Sequence, residues 1–259
     1  MIKTRVIPCL LLKNLGLVKT VKFGSPKYVG DPINAVRIFN NKEVDELIFL
    51  DITATSEGKK PNFELLASIV NEAFMPFSYG GGIRTVEDAI KILRMGVEKV
   101  CINTCAFQNP EFIREISVKN GSQSVIVSID VKKVAGGKYE VFVKNGTIPT
   151  GQDPVSYAIK MEKMGAGEIF LNSIDNDGVM NGYDTNLIKE VSEAINIPVI
   201  SCGGAGKVND FRLAVDAGAS AVSAGSFFVF IGPHRAVLIN YPDPEDLSQI
   251  FDTGTTANQ

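Results

Sequence analysis

The chain has 259 residues, of which 45% are hydrophobic and 21% are charged, with a formal net charge of −3. That length suits a single α/β barrel domain, and so much apolar sequence excludes a disordered chain. The slight negative charge argues against a nucleic-acid or membrane partner, and the longest apolar runs are too short to cross a bilayer. We therefore expect a globular cytoplasmic protein.

Short apolar runs alternate with amphipathic segments along the chain. The runs are almost continuously hydrophobic, which is typical of parallel strands covered on both faces. The predicted strands span residues 5–11, 46–52, 76–80, 98–103, 124–130, 167–173, 198–202 and 220–225. The predicted helices lie near residues 32–43, 61–73, 85–96, 109–119, 152–165, 184–195, 207–217 and 243–252. Eight such units predict one (β/α)8 TIM barrel over residues 1–259, with a C-terminal helix and tail at 241–259.

Two connections are longer than a barrel requires. Residues 13–31 contain three glycines and four lysines, and we expect them to form a long first loop that acts as a lid. Residues 131–148 are predicted to form a β-hairpin with Gly136 and Gly137 as its turn.

The two halves of the chain repeat each other at an offset of 122 residues, from 82 to 204 and from 104 to 226. The repeat predicts two half-barrels, about 1–122 and 123–240, although any barrel repeats itself weakly. In each half, a glycine turn (80–82, then 203–204) is followed by a small polar pair (103–104, then 225–226). Such turns at neighbouring strand ends suit a phosphate group. Two of them predict a substrate with a phosphate at each end.

Active sites of these barrels lie at the C-terminal ends of the strands. Asp130 is the best candidate there for a general acid/base, because partial burial can tune a carboxylate; a structural role that binds loop amides is the alternative. At the end of the first strand, the corresponding position is Leu11. The other polar residues at strand ends are Asp51, Asn103, Thr104, Asn172, Ser173, Asp175, Asp177 and Ser226.

Four charged residues begin strands at the opposite end of the barrel: Arg5, Glu46, Lys99 and Glu168. If their side chains point inward, two cations and two anions can pair in a ring at the barrel floor, which would offset the cost of burying them. The alternative is four solvated charges that flank strands.

The chain offers few ligands for a metal. Its one histidine, His234, predicts a surface or packing role, so neither a metal site nor a cofactor is expected. The four cysteines form no Cys-x-x-Cys pair and lie in strand-like sequence, which predicts free thiols in a reducing compartment. They are Cys9, Cys101, Cys105 and Cys202.

Several motifs between residues 1 and 230 resemble one family. They are Phe49-Leu-Asp-Ile-Thr-Ala, Gly80-Gly-Gly-Ile, Lys99-Val-Cys-Ile-Asn-Thr, Ser173-Ile-Asp-Asn-Asp-Gly, Gly182-Tyr-Asp-Thr and Gly203-Gly-Ala-Gly-Lys. The chain resembles the cyclase subunit of imidazole glycerol phosphate synthase, the ammonia-using half of a glutamine amidotransferase in histidine biosynthesis.

This resemblance implies a partner and a set of site residues. A glutaminase would dock on the N-terminal face of the barrel as a heterodimer, and its ammonia would enter through a charged gate. Lys19 corresponds to a mobile lysine of the first loop, and Asp130 to one of two catalytic aspartates. The gate would be Arg5, Glu46, Lys99 and Glu168. One phosphate site would be Gly82, Asn103 and Thr104, and the other Asp177, Gly178, Gly204 and Ser226, with Gly225 beside them.

The chain departs from the family after its first strand. The family reads roughly Ala-Cys-Leu-Asp-Val-Lys-Asp-Gly, whereas here Leu11 stands at the second catalytic aspartate and Asn14 at the next acid. Leucine cannot transfer a proton, and losing one member of an acid/base pair costs about 10²–10⁴-fold in rate. The departure and the stretch 227–242 resemble a paralogous group that works with a glutaminase and a third, sugar-modifying enzyme. The leading hypothesis is therefore amidation of a bacterial surface or flagellar sugar.

Two alternatives stay open. The chain could be an ordinary cyclase of histidine biosynthesis, a lyase in which another group replaces the lost aspartate. It could instead be a scaffold that activates a glutaminase and conducts ammonia without chemistry of its own. A related sugar-phosphate isomerase shares the half-repeat, but it needs the missing aspartate, and the charged ring argues against it.

Overall fold

The structure is a computed structural model that describes residues 4–252. Its strands are Arg5–Lys13 (β1), Gly16–Lys19 (β2), Lys27–Gly30 (β3), Leu47–Asp51 (β4), Phe77–Gly80 (β5), Lys99–Ile102 (β6), Val125–Lys133 (β7), Tyr139–Val143 (β8), Ile148–Pro149 (β9), Glu168–Ser173 (β10), Val199–Cys202 (β11), Ala221–Ala224 (β12), Phe230–Ile231 (β13) and Ala236–Val237 (β14). Its α-helices are Pro32–Asn41 (α1), Phe63–Glu72 (α2), Val86–Arg94 (α3), Thr104–Gln108 (α4), Glu111–Asn120 (α5), Pro154–Lys163 (α6), Thr185–Ser192 (α7), Asn209–Asp216 (α8), Ser226–Val229 (α9) and Pro244–Asp252 (α10).

Eight of these strands run parallel and close on themselves. β1 pairs with β12 on one side and with β4 on the other, and β7 pairs with β10 to complete the circle. At least one helix follows each strand of the circle. The predicted (β/α)8 TIM barrel is therefore confirmed, and each of its eight strands lies on a predicted apolar run.

The strands are buried on both faces, as their continuous hydrophobicity predicts. Leu47 and Phe49 point outward and pack under the helices, whereas Ile48 points into the barrel. Inside, a fully buried cluster that includes Ile7 and Phe170 fills the middle of the barrel. Because the site and this cluster share the same strands, the packed interior fixes where the C-terminal strand ends lie.

The first connection differs from the predicted structureless loop. β1 continues to Lys13 and pairs antiparallel with β2 through a turn in which Asn14 has φ 56°, and β2 pairs in turn with β3. The prediction was wrong over Gly16–Lys19 and Lys27–Gly30, because backbone pairing orders this segment and its apolar side chains Leu17, Val18 and Val29 are buried. The second connection forms the predicted hairpin between β7 and β8, with Gly136 and Gly137 at positive φ.

Two further details concern the helices. Cys105 lies in α4 and not in a strand, so the predicted setting was wrong for that cysteine. The predicted C-terminal helix is present, whereas residues 253–259 of the predicted tail lie outside the described residues. Among residues 4–252, no helix is both long and apolar enough to cross a membrane.

Candidate functional site

A cavity of about 720 Å³ opens at the C-terminal ends of the strands. Asp130, Leu11 and Lys19 line it together, so β1, β2 and β7 all contribute to one mouth. This is the end of the barrel at which an active site is expected.

Asp130 lies in β7 and is 8% exposed. Asn103 donates its Nδ2–H to the Asp130 carboxylate at 3.3 Å, and the Ser128 hydroxyl donates to it at 3.4 Å. Burial raises the pKa of Asp130 to about 7, the charge of Asp177 adds to the rise, and hydrogen bonds from Ser128 and Asn172 oppose it. Asp130 can therefore both accept and release a proton near neutral pH.

Leu11 leaves the mouth without a carboxylate at the end of β1. Its side chain packs against the apolar cluster inside the barrel, beside Leu50. A hydrocarbon side chain neither accepts nor donates a proton, so this part of the wall is chemically inert.

Lys19 is carried into the mouth by the pairing of β2 with β1. The side chain is 5% exposed, and its Nζ donates to the carbonyl oxygen of Cys9 and lies against Gly225. Burial lowers the pKa of Lys19, whereas the charges of Cys9 and Asp177 oppose the change. This cation is therefore part of the mouth wall and not a distant loop residue.

The first predicted phosphate site, here called the first cup, consists of Gly82, Asn103 and Thr104. All three of these residues line the cavity. The Gly82 amide donates to the Thr55 hydroxyl at 3.2 Å, and the Lys144 amide donates to the Thr104 hydroxyl at 3.2 Å. Turns from β4 and β8 thus frame this cup.

The second cup was predicted from Asp177, Gly178, Gly204, Gly225 and Ser226. Asp177 and Gly225 line the cavity, whereas Gly178, Gly204 and Ser226 do not. All of the residues predicted for the first cup therefore line the cavity, whereas only two of the five predicted for the second cup do so.

The other predicted mouth residues have local partners or none. Asp51 accepts from the amides of Thr53 and Ala54, both at 2.9 Å, and so shapes its own turn. Asp175 accepts from the Lys133 amide at 2.8 Å. Ser173 is buried at the end of β10, and Asn172 lines the cavity with a buried Oδ1 that has no hydrogen-bond partner among the described residues.

The four strand-start charges meet in one ring at the barrel floor. Arg5 contacts Glu46 at 2.6 Å and Glu168 at 2.8 Å, and Lys99 lies 3.4 Å from each of the same two carboxylates. Burial alone would lower the pKa of Arg5, but the charges of Glu168 and Glu46 outweigh it and raise the pKa. The Ser78 hydroxyl also donates to Glu46 at 3.0 Å. Each cation therefore bridges both anions.

Sequence reasoning missed several residues of the mouth. Arg84 and Lys144 line the cavity beside the first cup, and both are exposed. Arg84 follows the glycine turn by two positions, which could have indicated it. Lys144 reaches the mouth only because β7 and β8 fold back over it, and nothing local in its sequence predicts that.

Comparison with known proteins assigns the chain to a family. Residues 5–232 match the family described as histidine biosynthesis protein. The chain belongs to that family. The family expected from the motifs is therefore confirmed.

Relatives within the histidine biosynthesis family cover nearly the whole chain. A Pseudomonas aeruginosa protein, named provisionally as imidazole glycerol phosphate synthase subunit hisF2, is 56% identical over 95% of this chain and 99% of its own. A Leptospira interrogans protein, named provisionally as subunit HisF of the same synthase, is 49% identical over 97% of this chain and 100% of its own. Imidazole glycerol phosphate synthase subunit HisF of Alkaliphilus metalliredigens is 44% identical over 88% of this chain and 91% of its own. The chain is thus a barrel subunit of the HisF type.

Proposed function

We propose that this HisF-type barrel receives ammonia from a glutaminase subunit and delivers it for amidation of a bacterial surface or flagellar sugar. One observation carries the proposal: the mouth holds the buried carboxylate of Asp130, whereas the wall at the end of β1 is Leu11. Amidation forms a C–N bond to the carbonyl carbon of an acetamido group and expels the oxygen of that carbonyl. Where the third enzyme has already activated this oxygen as a leaving group, the barrel has to supply only a base that takes a proton from the attacking nitrogen. Cyclisation with loss of a leaving group needs an acid and a base in concert.

The floor ring supports the ammonia route. The ring is held by ion pairs and by the Ser78 hydroxyl that donates to Glu46, so a docked glutaminase could displace one charged side chain and open a path along the barrel axis. Above the ring lie Ile7, Ile48 and Phe170, which are fully buried and apolar. Such a layer admits neutral ammonia far more readily than the ammonium ion, because burial of a charge is costly. The glutaminase would therefore dock on the N-terminal face, where the ring lies.

The mouth can then use the ammonia. Asp130, with a pKa of about 7, is positioned to take a proton from the nitrogen as it attacks. The Oδ1 of Asn172, which has no partner within residues 4–252, is a hydrogen-bond acceptor for the remaining N–H groups. Lys19 supplies a cation that can stabilise negative charge on the acceptor. The third enzyme of the leading hypothesis would supply an activated sugar.

An ordinary cyclase is the second candidate, and one observation favours it. Asp177 lines the same cavity, and its charge raises the pKa of Asp130, so a second carboxylate does lie in the mouth. The Alkaliphilus metalliredigens relative, which is named as a subunit of the synthase and is 44% identical, agrees with this alternative.

The deciding experiment measures imidazole glycerol phosphate formed from the histidine-pathway intermediate and ammonium. We expect the wild-type barrel to be about 10²-fold slower or worse than the Alkaliphilus relative. Leu11→Asp should raise the rate, whereas Leu11→Asn, of similar size but unable to transfer protons, should not. A wild-type rate equal to that of the relative would refute the proposal.

The scaffold alternative needs its own measurement. Ammonia-dependent modification of an acetamido sugar, with the glutaminase and the sugar-modifying enzyme present, should be lost in Asp130→Asn. A pure conduit would tolerate that substitution.

A further inference from the structure

The wall of the mouth has an apolar side and a polar side. We propose that the apolar side, formed by Leu11 and Leu50, seats the methyl group of an acetamido substituent, so that the mouth selects N-acetylated sugars. This inference rests on the proposed function of the mouth and names the group of the sugar that the barrel recognises.

The two sides face each other because of the order of the strands. Around the circle the strands follow as β1, β4, β5, β6, β7, β10, β11 and β12, so β1 lies opposite β7 and β4 lies opposite β10. Leu11 is therefore across the mouth from Asp130, and Leu50 is across from Asn172. All four residues line the cavity. A group that spans the mouth between them meets hydrocarbon on one side and polar atoms on the other.

The apolar side is a continuous surface of two leucines. Leu11 and Leu50 are paired in the register of β1 and β4, are half-buried, and pack on the apolar cluster inside the barrel. A methyl group of Leu50 lies 2.9 Å from the position that a Cβ would take on Gly80, so the missing side chain of this glycine leaves room for Leu50. A small alkyl group placed against both leucines is removed from water, which favours its binding.

The polar side suits the amide part of an acetamido group. Asn103 and Asn172 lie on either side of Asp130 around the barrel, and Asn103 donates to the Asp130 carboxylate at 3.3 Å. The Oδ1 of Asn103 accepts from the Thr104 hydroxyl, whereas the buried Oδ1 of Asn172 has no partner among residues 4–252. An acetamido N–H can donate to this free oxygen or to the carboxylate. A sugar hydroxyl satisfies the polar side equally well but leaves the leucines uncovered.

The seat also gives Leu11 a positive role in the proposed reaction. A methyl group held against the leucines places the attached carbonyl carbon between them and Asp130. Under the proposed function, ammonia reaches this carbon along the barrel axis. Leu11 is therefore a specificity-determining residue of the mouth, and an aspartate at the same position would set a charge against the methyl group.

The first test compares three ligands by calorimetry on the full-length wild-type chain. N-acetylglucosamine 1-phosphate, N-formylglucosamine 1-phosphate and glucose 1-phosphate share their phosphate and differ only at carbon 2 of the sugar. We expect the acetyl ligand to bind about fourfold more tightly than the formyl ligand, the gain from burying one methyl group, and about tenfold more tightly than glucose 1-phosphate. An acetyl-to-formyl ratio below about twofold overturns the inference, and so does failure of the acetyl ligand to bind.

A second test locates the methyl seat with two substitutions of similar size. Leu11→Asn makes the wall polar and should lower the acetyl-to-formyl ratio below about twofold, whereas Leu11→Met keeps it apolar and should preserve the wild-type ratio. Leu213→Ala is the control, because Leu213 lies on α8 with 48% of its surface exposed. Circular dichroism checks folding, and the wild-type series decides by itself if Leu11→Asn does not fold. A folded Leu11→Asn that keeps the wild-type ratio contradicts the seat.

Both tests measure binding alone. The proposed function is tested by reaction rates, so a barrel that amidates a sugar without preferring the methyl group would refute this inference and leave the proposed function standing.

Discussion

Asp130→Asn should make the protein more stable above neutral pH. In the wild type, burial raises the pKa of this carboxyl from 3.8 to about 7. A group with a raised pKa in the folded state stabilises the fold below its unfolded pKa and loses that contribution as the pH rises through the folded pKa. The full effect is about 4 kcal/mol, of which about 3 kcal/mol is lost between pH 5 and pH 8.5.

Urea unfolding of both proteins across that pH range measures the effect. The free energy of unfolding of Asp130→Asn, minus that of the wild type, should grow from pH 5 to about pH 7 and then level off towards pH 8.5. Asp153→Asn is a matched control, because Asp153 is an exposed cap of α6 and an asparagine can accept the same bond from the Ser156 amide. A difference for Asp130→Asn that stays flat with pH, as we expect for the control, would show that Asp130 is ionised in the folded protein throughout and would refute the reasoning.

Two further predictions concern the floor and the helices. Glu168→Gln removes an anionic partner from both Arg5 and Lys99, so it should lower the free energy of unfolding, measured in urea, by about 1–3 kcal/mol. It should also lower glutamine-driven activity more than ammonium-driven activity. The exposed Glu43→Gln is the control and should have neither effect. Thr85→Ala removes the hydroxyl that accepts from the Asp88 amide at 3.1 Å, so it should cost about 1 kcal/mol of unfolding free energy in urea without changing ligand affinity.

The barrel itself was predictable because its signal is local. Each strand is an apolar run of the right length, and α3 begins after Thr85, a residue type that commonly caps helices. The floor ring was predictable for a related reason: inward-pointing positions at strand starts follow from the alternation of side chains. Two cations and two anions lie at such positions. Because the interior of the barrel is buried, pairing of these charges is their favourable arrangement.

The surroundings of the second cup could not be predicted, because they depend on contacts between distant segments. Arg235 and Gly178 are 57 residues apart, and Thr20 and Asp177 are 157 apart. The glycines that indicate a phosphate cup equally permit another backbone to approach closely, and at Gly178 the backbone of Thr20 does so. The sequence therefore predicts that another group can approach these glycines closely. Only the tertiary structure shows whether that group is a ligand or another segment of the chain.

Asp177 is either a second acid/base group of the mouth or a structural residue that holds the segment after β2 in place. The second role is called a tether below. As an acid/base partner it would replace the carboxylate lost at Leu11 and restore the case for cyclisation. Its contacts favour a tether, since the Thr20 hydroxyl and the Phe23 amide both donate to one carboxylate oxygen and hold the segment after β2 over the mouth. Burial raises its pKa, whereas these two bonds oppose the change, as expected for a carboxylate engaged in structure.

Asp177→Asn separates the two roles. An amide oxygen can still accept from Thr20 and Phe23, so a tether should keep most of its function: activity should fall by less than about tenfold, and proteolysis at residues 21–24 should stay slow. Asp177→Ala should lose both bonds and expose that segment to protease. If Asp177→Asn instead loses about 10²-fold or more in activity while its protease resistance is unchanged, Asp177 transfers protons. The mouth would then contain a complete acid/base pair, and cyclisation would replace amidation as the better-supported function of the site.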